Sequence, residues 1–125
     1  MRTDDKRNIF INLSNHPSSG WSEQQLRAAR AFGEVVDMPF PPVEPSASTS
    51  DVELLARACV ARIMEQAHSR KTTVHVMGEM TLIYHIVRRL KRRGIRCVAS
   101  TTERKVVEVD GKKISEFHFV QFREY

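Results

Sequence analysis

The sequence predicts a three-layer α/β sandwich with a mostly parallel sheet and an antiparallel β-hairpin at the C-terminal end. Three observations carry that expectation. Short apolar runs alternate with longer stretches of helical periodicity, giving the order β-α-β-α-β-α-β. Gly33 and Gly94 stand where the first and third helices should stop. Two further runs then flank Asp110-Gly111, a strong hairpin signal. The 125 residues fit one domain with a single modest core, residues 1–7 being a loose polar lead-in.

In chain order, Ile9-Phe10-Ile11 with Leu13 marks a buried first strand over Asn8–Ser14. Ser22, with Gln25 three residues on, opens a helix over Ser22–Phe32 by a capping box. Glu34–Met38 is a second strand, ended by the proline-rich crossover Pro39–Pro45 and completed by Ser46–Ser50. Ser50 is the expected N-cap of a second helix, which carries Val52, Leu55, Cys59 and Ile63 at helical spacing and ends near His68. Thr72–Met77 is the third strand. Met80–Arg93 is the third helix, with Leu82, Ile83, Ile86, Val87 and Leu90 apolar. Ile95–Ser100 is the fourth strand, and Arg104–Val109 with Lys112–Phe122 make the hairpin.

Composition narrows the function classes. No apolar run approaches the ~20 residues that a membrane helix needs. The charged N-terminus lacks the apolar stretch of a secretory signal. Cys59 and Cys97 have no metal-type spacing and read as buried thiols of a reducing compartment, so a cytoplasmic protein without a metal or cofactor is expected. The net charge of +5 suggests an anionic partner. Much of it comes from Arg88-Arg89-Leu90-Lys91-Arg92-Arg93, where cations also complement the end of a helix.

Doubly wound topology places strands 1 and 3 side by side, so that the loops after strands 1, 3 and 4 converge. They offer Ser14, Asn15, His16, Ser18 and Ser19; then Gly78, Glu79 and Thr81; then Thr101, Thr102 and Arg104. Helix N-termini and a glycine that admits close backbone approach make this a nucleotide-shaped constellation. G-x-G-x-x-G, P-loop and nucleophile-elbow patterns are absent. His16 serves as a general acid/base or phosphate ligand, or else only orders its loop. Glu79 reads first as a helix cap, and His75 and His118 as structural. Arg104 clamps a phosphate or is a surface arginine at a strand entry. Trp21 stacks on a base or packs as a hydrophobic staple.

Asn12-Leu13-Ser14-Asn15-His16-Pro17 is similar to the start of small stand-alone CRISPR-associated proteins of type III systems, which have a CARF-like (CRISPR-associated Rossmann) fold. An inserted Asn15 departs from the simplest form of that pattern. The resemblance implies a homodimer that binds a cyclic oligoadenylate second messenger. It further implies a ring nuclease in which a ribose 2′-hydroxyl attacks the neighbouring phosphorus without a metal, with His16 for proton transfer and Arg104 for charge. Ser14, Asn15, Ser18, Ser19, Gly78, Glu79, Thr81, Thr101 and Thr102 would then hold the ligand. The alternatives are a sensor or sponge that binds without cutting, and a nucleic-acid- or protein-binding module using the basic end of the third helix.

Overall fold

The computed structural model describes residues 8–125; the lead-in expected over residues 1–7 lies outside them. Five strands form one sheet in the order β2-β1-β3-β4-β5, numbered along the chain as β1 Asn8–Ser14, β2 Glu34–Pro39, β3 Lys71–Val76, β4 Arg96–Val109 and β5 Lys112–Glu124. The first four are parallel and β5 returns antiparallel. Three helices cover it: α1 Glu23–Arg30, α2 Thr49–Ala67 and α3 Met80–Arg92. This is the Rossmann-like three-layer sandwich that the alternation of elements predicts.

Strand β1 lies inside the sheet, between β2 and β3, and is buried on both faces, which is why it reads as a nearly unbroken apolar run. Ile9, Ile11 and Leu13 face the larger core, which holds Val52, Ala56, Cys59 and Ile63 of α2 with Leu82, Ile86 and Leu90 of α3. Phe10 points to the opposite face, where Ala29 of α1, Val98, Phe32 and Phe122 complete a smaller aromatic cluster. Only the eight residues of α1 cover that second face. A helix of that length spans about 12 Å.

Two expectations are corrected. The second helix starts at Thr49 with Ser48, not Ser50, as its N-cap: Ser48 Oγ accepts from the Asp51 N–H at 3.1 Å and Asp51 Oδ2 from the Ser48 N–H at 3.0 Å. That reciprocal box satisfies two end N–H groups at once and starts the helix two residues earlier than a Ser50–Glu53 pair would. The loop expected over Ser100–Arg104 does not exist. β4 runs through it with only a register shift between Thr101 and Thr102, so the sheet has five strands where six were expected. Its pairing with β3 stops at Val98, and from there β4 and β5 continue as a two-stranded ribbon. Asp110 (φ 52°) and Gly111 (φ 75°) turn the ribbon as the dipeptide predicts.

Among the described residues no helix is long and apolar enough to cross a membrane. Gly33 (φ 155°) ends the turn after α1 against β1, where a Cβ would sit 2.6 Å from the Asn8 carbonyl carbon. Gly33→Ala is therefore expected to cost roughly 2–4 kcal/mol, because backbone must move, whereas Gly20→Ala, in open space, stays within about 0.5 kcal/mol. Urea unfolding of the two variants checks this, and equal midpoints would refute it.

Candidate functional site

On the α1 face of the sheet, β1 presents Phe10, then Asn12, then Ser14, passing from apolar to polar toward its C-terminal end. Asn12 and Ser14 are buried beside a third polar group, because the parallel register sets Asn12 next to His75 of β3. The Asn12 amide uses its full bonding capacity. Nδ2 donates to Asp37 Oδ1 and to the His16 carbonyl, both at 2.9 Å. Oδ1 accepts from Ser14 Oγ at 2.7 Å and faces His75 Nδ1 at 2.9 Å. Two acceptors fix which end of the amide is nitrogen, so Oδ1 is the atom that meets His75. The His75 proton therefore lies on Nδ1, and Nε2 carries a lone pair.

That Nε2 is buried and has no hydrogen-bond partner among the described residues. Burial, with His16 nearby as a second cause, lowers the His75 pKa to about 4 and keeps the ring neutral. The imidazole stacks 6.2 Å from the Phe10 ring and meets Trp21 edge-on at 5.5 Å and Phe122 at 5.3 Å.

The loop after β1 is tied down from below. The His16 carbonyl accepts from Asn12 Nδ2 and from Trp21 Nε1 at 3.1 Å, and Ser14 Oγ lies 3.2 Å away. Ser18 donates its N–H to Asp37 Oδ1 at 3.2 Å and its hydroxyl to Oδ2 at 3.0 Å, linking the loop to β2. Ser22 then caps α1 by accepting from the Gln25 N–H at 3.1 Å.

Above this network lies a cavity of about 480 Å³ beyond the C-terminal ends of β1 and β3 and beside the middle of β4 and β5. His16, His75 and His118 border it, Trp21, Phe117 and Phe119 supply aromatic walls, and Ser22, Gln24 and Gln25 bring the first turn of α1. Among the described residues its lining has no lysine or arginine. Nor do the described residues contain a group of three or more His, Cys, Asp or Glu side chains able to hold a metal ion.

A family model described as the uncharacterized protein MJ1673 family matches residues 8–123. The chain belongs to that family. No curated protein matches it.

In this member of the MJ1673 family, the cavity gathers only part of the sequence-predicted set. His16 and Thr102 line it. Ser14 lies beneath, its hydroxyl bonded to Asn12, and Ser18 is bonded to Asp37; Asn15 and Ser19 are exposed beside the loop. Glu79, Thr81 and Gly78 lie outside the lining. Glu79 caps α3, accepting from Thr81 Oγ1 at 2.6 Å and the Leu82 N–H at 2.9 Å, bonds that hold its carboxyl below the usual range. Gly78 gives its space to Phe40, whose ring would lie 2.5 Å from a Cβ there, and not to a ligand. Thr101 Oγ1 donates to the Gln121 carbonyl at 3.2 Å. Arg104 sits out on the ribbon with Nε donating to Ser115 Oγ at 3.1 Å, because the expected loop is strand.

Sequence reasoning missed His75 as a site residue. The available signal was a polar residue inside each of two adjacent buried strands, Asn12 and His75, which only the register brings together.

Asn12→Ala strips partners from Asp37, His75 and the His16 carbonyl and is expected to cost roughly 3 kcal/mol in chemical denaturation. A loss below about 1 kcal/mol would show that the network does not hold the loop. The low His75 pKa means the unfolded chain binds a proton that the folded chain refuses. Stability is therefore full above pH 6.5 and falls as pH drops from about 6.5 to about 4, by roughly 3 kcal/mol. Measured unfolding free energies of His75→Gln should lack that part of the pH dependence; identical slopes in both proteins would refute the assignment.

Proposed function

We propose that the cavity binds the nucleoside part of a cyclic oligoadenylate and that the protein opens the ring without a metal. The observation that carries this reading is His75, which borders an aromatic-sided cavity and whose Nε2 is a buried acceptor with no donor among the described residues. A buried acceptor left unmet costs about 1–3 kcal/mol, so the site favours a ligand that brings an N–H or O–H. Adenine brings a 6-amino group and ribose its hydroxyls. Trp21, Phe117 and Phe119 offer π faces, and the first turn of α1 offers N–H groups toward a phosphate. The location also supports it, since the sheet order reverses between β1 and β3, the switch point where such sheets take nucleotides.

In the proposed reaction the 2′-hydroxyl oxygen attacks the adjacent phosphorus, the bond to the 5′-oxygen breaks, and a 2′,3′-cyclic phosphate forms. The 2′-hydroxyl proton passes to the His16 imidazole, which then gives it up to the departing 5′-oxygen and returns to its starting state. His75 accepts a hydrogen bond and orients the nucleoside. The charge role first given to Arg104 has no counterpart in the lining of one chain. A two-fold ring suits a homodimer, in which two cavities face one ligand.

The test is incubation in EDTA with labelled cyclic tri-, tetra- and hexa-adenylate, following binding and products. We expect linear products ending in a 2′,3′-cyclic phosphate, lost in His16→Ala, and binding about tenfold weaker in His75→Phe, the effect of one buried hydrogen bond. Binding without products would make the protein a sensor or sponge. No binding of any ring would overturn the reading.

A further inference from the structure

Charge that the fold leaves unanswered lies on the opposite face of the sheet, between α2 and α3. Arg57, Val60, Ala61 and Met64 follow one another at intervals of three and one, a single stripe of α2; Arg89, Arg92 and Arg93 do the same on α3. The two stripes line one groove of about 560 Å³ whose charged groups are all guanidinium. The ion pairs among the described residues are Arg70–Glu34, Lys105–Glu103 and His118–Glu116, and none involves these arginines. The dipole of α3 accounts for Arg89 and Arg92 in its last turn. It does not account for Arg57, which stands mid-way along α2. Like charges gathered on two facing helices repel one another, and an anion between them removes that cost.

The charge does not stop at the groove. Met64 also borders a cavity at the N-terminal edge of the sheet that holds Arg70, Lys71, Lys91 and Arg96, with Glu124 as its acidic member. Cations drawn from both helices and from the strand starts make a stripe longer than one phosphate can answer. Among the described residues no aromatic side chain lines the groove, so it has nothing to stack bases on.

We propose that the α2–α3 groove binds the phosphodiester backbone of a nucleic acid, without regard to base sequence and separately from the cavity at the other edge of the sheet. Guanidiniums supply bidentate donors to phosphate oxygens, and released counterions make the binding steeply salt-dependent.

The experiment is fluorescence anisotropy with a fluorescein-labelled 20-nucleotide RNA and a 20-base-pair DNA duplex across a salt series. It compares the wild-type protein, Arg57→Glu/Arg92→Glu, and Lys112→Glu/Lys113→Glu at the ribbon tip, which changes net charge equally. All four positions are exposed, and matched unfolding midpoints confirm intact folds. Four phosphate contacts give a log–log salt slope of about −3 on the single strand. We expect the groove variant to bind at least tenfold more weakly with a slope shallower by about 1.4, and the tip variant to change less than threefold. Retention of only one of the two nucleic acids assigns the backbone form. Equal losses in both variants, no binding at 50 mM salt, or displacement of the RNA by polyglutamate as readily as by unlabelled RNA would overturn the proposal. Binding of cyclic oligoadenylate by the groove variant is read separately, so that neither proposal's failure is taken for the other's.

Discussion

The site depends on the Asn12 amide. One side chain, 1% exposed, ties together the second strand through Asp37, the third through His75 and the loop after its own strand through the His16 carbonyl. No other residue type offers two donors and two acceptors on so short a stem. Aspartate would set a carboxylate against Asp37, and leucine would leave His75 Nδ1 unmet and take one partner each from Asp37, Ser14 and the His16 carbonyl. The amide also decides chemistry at a distance of one residue. By accepting the hydrogen bond of His75 Nδ1–H it leaves Nε2 as a bare acceptor, and the low dielectric around the ring keeps it so.

The two faces of the sheet divide the labour. On one, long helices seal an apolar core with little room for chemistry. On the other, the cover is one short helix and a group of aromatic rings. The polar residues near the ends of β1 and β3, Asn12, Ser14 and His75, are buried beside a cavity there. The same asymmetry places the arginine-lined groove on the helical face and the histidine-lined cavity on the aromatic face, a full sheet thickness apart.

Much of the fold was legible because period and punctuation agree. β1 shows an apolar run, α3 an apolar stripe bounded by Glu79 and Gly94, and the hairpin its Asp-Gly turn. The merger of the fourth strand with the hairpin was not legible. Ser100-Thr101-Thr102-Glu103-Arg104 is polar throughout and reads as loop, yet a ribbon wet on both faces needs no apolar alternation, and threonine is a good strand residue. Ser48 with Asp51 and Ser50 with Glu53 offer the same cap spacing, and only the structure shows that the first is used. The site was half legible. His16 announces itself in a polar loop, whereas His75 looks like one more core side chain until the β1–β3 register puts Asn12 beside it. Arg104 was misplaced for the same reason the loop was.

The ribbon has one more consequence. Beyond Val98, β4 is hydrogen-bonded to β5 alone, and two strands without a third are marginal by themselves. Phe117 and Phe119, which wall the cavity, belong to this stretch, while His75 belongs to the buried interior and His16 to a loop tied to it through the His16 carbonyl. The cavity is thus a vice with one fixed jaw and one compliant jaw. Its gape answers to the twist of two strands and not to the packing of the core, so the protein can change the fit around a guest at a small fraction of its global unfolding free energy.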